Sequence, residues 1–316
     1  MSPMCWDVNW PVIKNTRGED MKKHIGSFSL IAGVYLVAIA GGIMVFHMTS
    51  GLSLVIRLLL ADLAATAIIW LISLLVDNAS LYDPYWSVIP PVLLVLVAFH
   101  LHDALSDGVI VLLLALAFWG IRLTYNWARN WHGFKHQDWR YDEMRQKTPR
   151  IWPLTSLLGI QLFPTLIVFI QLIAAIRLIE ANPGMHPGLV TGSAIIMAAT
   201  ILQYVADRQM FAFRQQNTDT KACFAQGLWR YSRHPNYFGE IMVWWGLWLA
   251  YALTMNTIDL LVLSPVAMTL LFVFVSIPWM EKKILATRPE YADIQASVSM
   301  LFPLPPKREK MAFDDR

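Results

Sequence analysis

Charge is scarce in this chain. Only 15% of its 316 residues are Asp, Glu, Lys or Arg, where a soluble domain usually carries about 25%. That shortfall argues against a water-exposed surface over most of the molecule and makes lipid the expected solvent. Cysteine is nearly missing too. Cys5 and Cys223 stand far apart, with no CxxC pair, which argues against a disulfide framework, a cysteine zinc site and a cysteine nucleophile. The net charge of +3 is too small to suggest a nucleic-acid partner, and no basic stretch is interleaved with aromatics like a binding groove. A secretory signal is not expected, because residues 1–24 are polar and the first apolar run follows them. Met21-Lys22-Lys23 would itself serve as a translation start, so residues 1–20 are expected to matter little.

What the chain has in quantity is apolar sequence. Hydrophobic residues make up 56%, and the mean hydropathy is +0.47. Fourteen Trp and ten Tyr suit interfacial aromatic belts, with some left to line a pocket. A bilayer span needs about 20 mostly apolar residues. That ruler gives spans at 25–46, 54–76, 88–102, 108–127, 154–179, 188–206, 237–254 and 259–279. The third is the weakest, being short and interrupted by Pro90-Pro91. The expected fold is therefore an all-α integral membrane protein of about eight transmembrane helices, with both termini cytosolic. Charge bias supports that count. The inner segments hold 22 of the 25 Lys and Arg, and the other three, Arg57, Arg122 and Arg177, lie inside spans. Among the span charges, Asp62 is costly in hydrocarbon and is expected to pair with Arg57 or with another helix. No internal repeat or linker divides the chain. The expected layout is a cytosolic extension (1–24), a first span (25–46), a membrane domain (47–306) and a polar tail (307–316).

Polar groups that could do chemistry gather in two inner loops, 128–153 and 207–236. Gln203 and Asp207 are one helical turn apart and share a face, and Arg214 falls near it two turns on. Then comes GLWRYSRHPNYFGE, Gly227 to Glu240. Pro235 favours an extended residue before it and a helix start after it, which puts Glu240 one turn into the new helix. Arg230, Arg233, His234 and the free N–H groups of that helix start read as an anion site. Arginines on an inner loop equally suit lipid phosphates.

Asp83, Tyr85 and Trp86 sit together in DPYWS. As a candidate catalytic group they would polarise a carbonyl in a dry site; alternatively Asp83-Pro84 simply turns the chain while the aromatics anchor at the interface. In DWRYDEMR, Asp138, Arg140 and Arg145 suit a phosphate of a cofactor; Arg140, Asp142, Glu143 and Arg145 equally suit mutual pairing as surface charges, worth little each. His132 and His136 have an i,i+4 spacing but no HExxH pattern, so no metal is expected.

RHPNYFGE followed by an apolar span and the Pro-rich tail Leu301 to Pro306, with DPYWS and DWRYDEMR upstream, resembles the membrane steroid reductase superfamily. Its uncharacterised bacterial steroid-5α-reductase-like members are the best likeness. Isoprenylcysteine carboxyl methyltransferases are more distant members. The likeness runs from about residue 75 to 306; the span at 25–46 has no counterpart in the seven-helix 5α-reductases. It implies an NADPH site in which Gln203, Asp207 and Arg214 stand for the family's Asn-x-x-x-Asp-x6-Arg pattern. Asn236 and Glu240 would hold the nicotinamide half, Arg122 matches an arginine of an earlier helix, and Arg230, Arg233, His234 and Tyr237 complete the cofactor set with Asp138, Arg140 and Arg145. The family's carboxylate for a steroid ketone is missing, since Trp86 to Pro90 fills that stretch, and Trp119 replaces its assisting tyrosine.

The resemblance implies NADPH-dependent reduction of a double bond conjugated to a carbonyl in a membrane-soluble lipid, with the 3-oxo-steroid one instance. The lipid would enter from the bilayer of a bacterial inner membrane and the cofactor from the cytosol, to a monomer. Two alternatives stand beside it. S-adenosylmethionine-dependent methyl transfer shares the RHPxYxG frame, although methyltransferases usually place a bulky apolar residue where Glu240 stands. A non-enzymatic lipid-binding membrane protein is the other.

Overall fold

The computed structural model describes residues 19–217, 219 and 222–307. The expected extension as far as residue 18 and the tail from 308 onward, with Cys5, lie outside the described residues. Those that are described form helices and turns, with no strand among them. Seven helices are long and apolar enough to cross a membrane: Gly26–Met48, Leu54–Leu75, Ala79–Leu101, Asp107–Asn130, Pro149–Ala181, Pro187–Gln216 and Leu260–Thr287. They coincide with seven of the eight expected spans, and the protein is an all-helical integral membrane protein. The eighth expected span, 237–254, is a helix of sufficient length, Pro235–Thr254. Trp244, Trp245, Trp248 and Glu240 lower its hydropathy, and it does not count among the seven.

The chain divides into two compact units. The first comprises residues up to Leu101 together with Leu123–Ile176. It holds α1 (Glu19–Met48), α2 (Leu54–Leu75), α3 (Tyr85–Leu101), the end of α4 (Asp107–Asn130), α5 (Trp139–Lys147), α6 (Trp152–Thr155) and most of α7 (Phe163–Ala181). The doubtful third span is a helix with Pro90 and Pro91 inside it, lengthened by a 3-10 turn at Ala79–Tyr82. Asn78 caps that turn, its Oδ1 accepting from Ser80 N at 2.9 Å. A π-helical stretch, Ser156–Leu162, joins α6 to α7. Asp62 pairs across to α3, as one of the two expectations for it had it, because the Tyr85 hydroxyl donates to its Oδ1 at 2.7 Å. Arg57 instead donates to the Phe46 carbonyl at 3.2 Å and lies 3.9 Å from that ring's centre.

The second unit comprises His102–Arg122 and the chain from Arg177. It is built on α8 (Pro187–Gln216) and α9 (Pro235–Thr254), with α10 (Leu263–Leu271), α11 (Ile277–Thr287) and α12 (Tyr291–Ser297) after them. Small residues let α8 and α9 approach backbone to backbone. A Cβ added to Gly192 would meet the Gly246 carbonyl oxygen at 2.5 Å, and one on Gly239 would meet the Ala199 oxygen at 2.9 Å. That close approach brings Gln203 against the first turns of α9.

Candidate functional site

RHPNYFGE, residues 233–240, crosses a helix boundary. Pro235 occupies the first turn of α9 and His234 its cap position, as the Pro rule requires. The residues before and after the boundary therefore point to different partners within the second unit.

After the boundary, one face of α9 meets α8 and α4. Glu240 is buried and accepts three N–H donors: Trp119 Nε1 at 3.0 Å, Gln203 Nε2 at 2.7 Å and Trp244 Nε1 at 3.1 Å. The rings of Trp119 and Trp244 pack edge to face, 4.9 Å between centres. Gln203 Oε1 accepts from Arg122 Nη1 at 3.0 Å, and Arg122 Nη2 pairs with Asp207 Oδ2. Asn236 Nδ2 reaches the other Asp207 oxygen at 3.4 Å. Arg122, Gln203, Asp207, Asn236 and Glu240, drawn from three helices, thus form one connected network. The guanidinium touches Asp207 directly and Glu240 only through Gln203, and its Nε is buried without a hydrogen-bond partner. Arg214 lies half-buried two turns beyond Asp207 on α8, and Arg230 is exposed.

Before the boundary, the same motif fastens the end of the chain. Arg233 donates through Nε to Glu281 Oε1 at 2.7 Å and through Nη1 to the carbonyls of Gln295 and Val298 at 2.8 and 3.0 Å. His234 Nε2 lies 3.0 Å from the same Glu281 oxygen. Tyr291 OH and Gln295 Nε2 also donate to Glu281, at 3.1 and 2.7 Å. Arg233 N to Ser299 O and Ser232 Oγ to Leu301 O, 2.8 and 2.7 Å, complete the clasp. Burial holds the His234 imidazole below its ordinary value, against the opposing pull of Glu281. Tyr237 stacks on His234 at 5.3 Å and packs on Phe272. The guanidinium and imidazole expected to face an anion are committed to a carboxylate of the chain itself.

In the first unit Asp83 and Tyr85 find different partners. Tyr85 OH is bound to Asp62, while Asp83 Oδ1 accepts from Tyr141 OH at 2.7 Å. Trp86 is buried and, with Asp62, Tyr82 and Tyr85, lines a small cavity of about 10 Å3. Asp138 caps α5, accepting from Arg140 N at 2.9 Å, and also holds the Arg140 Nε at 3.0 Å. Arg145 pairs with Asp77 at 2.9 Å in an exposed position. Arg140 and Asp138 thus form a largely buried pair, while Arg145 finds its carboxylate outside the segment. Among the described residues no group of His, Cys, Asp and Glu could hold a metal ion. Sequence reasoning did not single out Tyr141 as the partner of Asp83 or Trp244 as a donor to Glu240.

An uncharacterised protein of Schizosaccharomyces pombe is 25% identical over 224 residues, 60% of this chain and 62% of that protein. The chain thus matches less than two thirds of that relative's length. No solved structure matches. The family model described as protein of unknown function, DUF1295, matches residues 69–298, the stretch holding both clusters, and the chain belongs to that family.

Proposed function

We propose that the protein binds NADPH through the Arg122–Gln203–Asp207–Asn236–Glu240 network and reduces a carbonyl-conjugated double bond in a membrane lipid. One observation carries the reading. Five of the thirteen positions that the reductase resemblance implied for the cofactor, scattered from 122 to 240 in sequence, meet in one largely buried hydrogen-bonded cluster. Membership of a family associated with steroid 5α-reductase-like proteins supports it further.

The residues suit the polar end of a dinucleotide. Arg122 Nε is a buried donor in want of an acceptor, and a ribose hydroxyl or carboxamide oxygen supplies one. Glu240 is held by three donors and so cannot swing. A carboxylate has about four lone-pair sites, so it retains room for one further N–H, such as that of a carboxamide. The Arg122–Asp207 pair fixes the neighbouring wall. The cofactor would supply the hydride; the chain's part is orientation and the exclusion of water. The clasp at Glu281 and the paired charges of Asp138, Arg140 and Arg145 hold the structure in this reading and take no part in binding.

Thermal unfolding of the detergent-solubilised protein with NADPH, NADH and S-adenosylmethionine tests the proposal. A ligand at 100 times its dissociation constant adds about 2.7 kcal/mol. NADPH is expected to give that shift, and Asn236→Ala to remove it. A shift with S-adenosylmethionine alone would transfer the protein to methyl transfer, and no shift with any of the three would leave the lipid-binding alternative.

A further inference from the structure

In the first unit, α1, α2 and α3 enclose an apolar cavity of about 270 Å3. Ile39, Leu58, Ala65, Ile89, Leu93 and Val97 form its walls. Ile43, Leu96 and Phe99, which also line it, are exposed on helices apolar enough to span a membrane. The cavity therefore opens toward hydrocarbon. Its size falls just below the range of about 300–1,000 Å3 typical of small-molecule sites, enough for part of one lipid.

Its polar side chains are Asp62, midway along α2, and His47 and His100, near the ends of α1 and α3. Asp62, 6% exposed, lines the cavity from α2. Tyr85 OH occupies its Oδ1 at 2.7 Å, and Oδ2 has no hydrogen bond among the described residues. Arg57, the cation nearest on the same helix, is taken up by the Phe46 carbonyl and ring. A carboxyl oxygen in hydrocarbon without a donor is costly, and the cavity is the side from which a donor can arrive.

We infer that this cavity binds a lipid alcohol, its apolar body between α1, α2 and α3 and its hydroxyl donating to Asp62 Oδ2. A phospholipid tail carries no donor, and a fatty-acid anion would oppose the carboxyl group. The site does not depend on the NADPH reading: it lies wholly in the first unit, and α1, one of its walls, is the helix with no counterpart in the seven-helix reductases.

The test is photolabelling of the protein in phosphatidylcholine nanodiscs with diazirine-bearing hexadecanol, without any nicotinamide cofactor, followed by mass mapping. Labels are expected on α1, α2 and α3. Asp62→Ala is expected to lower them roughly tenfold, the worth of one buried hydrogen bond, while Asp62→Asn keeps an acceptor oxygen and retains most of the labelling. Should Asp62→Ala fail to fold, Leu96→Trp serves instead, since that exposed wall residue can fill the cavity with little disturbance to packing. Equal labelling of these helices by diazirine phosphatidylcholine or diazirine palmitate would overturn the inference, as would labelling indifferent to both Asp62→Ala and Leu96→Trp. Because no cofactor is present, that failure would leave the NADPH proposal standing.

Discussion

The two ends of RHPNYFGE lie seven residues apart yet belong to different constructions. Arg233 and His234 turn to Glu281 and bind the closing segment of the chain to α11 and α12. Asn236 and Glu240 turn to α4 and α8, where two acids, one guanidinium and an amide make a buried network. Pro235 divides them, because a residue before a proline is extended and one after it can start a helix. A motif read as one anion site is therefore a fastener followed by a polar cluster. The lesson is that charge identity along a sequence does not say where each charge is spent.

The comparison breaks most sharply at the fastener. Glu281→Ala leaves the Arg233 guanidinium, in a pair only 10% exposed on each side, without its partner, and loss of one member of a buried pair costs about 3–5 kcal/mol. Thermal unfolding should show a large fall for this variant. Next comes Glu240→Gln, which keeps the cluster's shape but weakens its acceptor. The NADPH-induced stabilisation of about 2.7 kcal/mol at 100 times the dissociation constant should largely disappear. A comparable loss, about 1–3 kcal/mol in the ligand-free protein, is expected for Gly192→Val, since overpacking forces the α8–α9 seam apart.

The pH dependence follows from His234. Its folded value is lowered by burial, so as pH falls through the ordinary value near 6.5 the unfolded chain gains a proton that the folded chain refuses. Stability should decline over that interval and until the folded value is passed. His234→Gln should flatten that part of the unfolding-temperature profile between pH 7 and pH 5; an unchanged slope would remove His234 as the cause. The smallest effect is expected for Arg145→Ala, where the pair with Asp77 is 42% and 69% exposed and is worth about 0–1 kcal/mol. A large loss of NADPH affinity in that variant would restore the loop charges to the cofactor site.

Much of the fold was readable because span length and charge bias are strong constraints. The span expected at 54–76 is α2, and the one at 188–206 opens the longer α8. The expected span at 237–254 was harder to class, since three tryptophans and Glu240 make α9 less apolar than the seven helices that qualify as spans. Gln203 and Asp207 were legible as one face through their four-residue spacing, and their convergence with Glu240 came through the resemblance. The partners of Asp83 and Tyr85 were not legible, for a geometric reason. Residues two apart at a helix start do not face each other, and which distant partner each finds depends on helix rotation, which no local pattern records. Tyr141 reaches Asp83 from 58 residues away. The π-helical turn at Ser156–Leu162 likewise has no signature in an evenly apolar run.

Titration calorimetry of NADPH against the wild-type protein, Asn236→Ala and Glu281→Gln tests the division of the motif most directly. The account predicts tight binding to the wild type, at least tenfold weaker binding to Asn236→Ala, and nearly unchanged affinity in folded Glu281→Gln despite its lower unfolding temperature. Unchanged affinity in Asn236→Ala, or loss confined to Glu281→Gln, would contradict it.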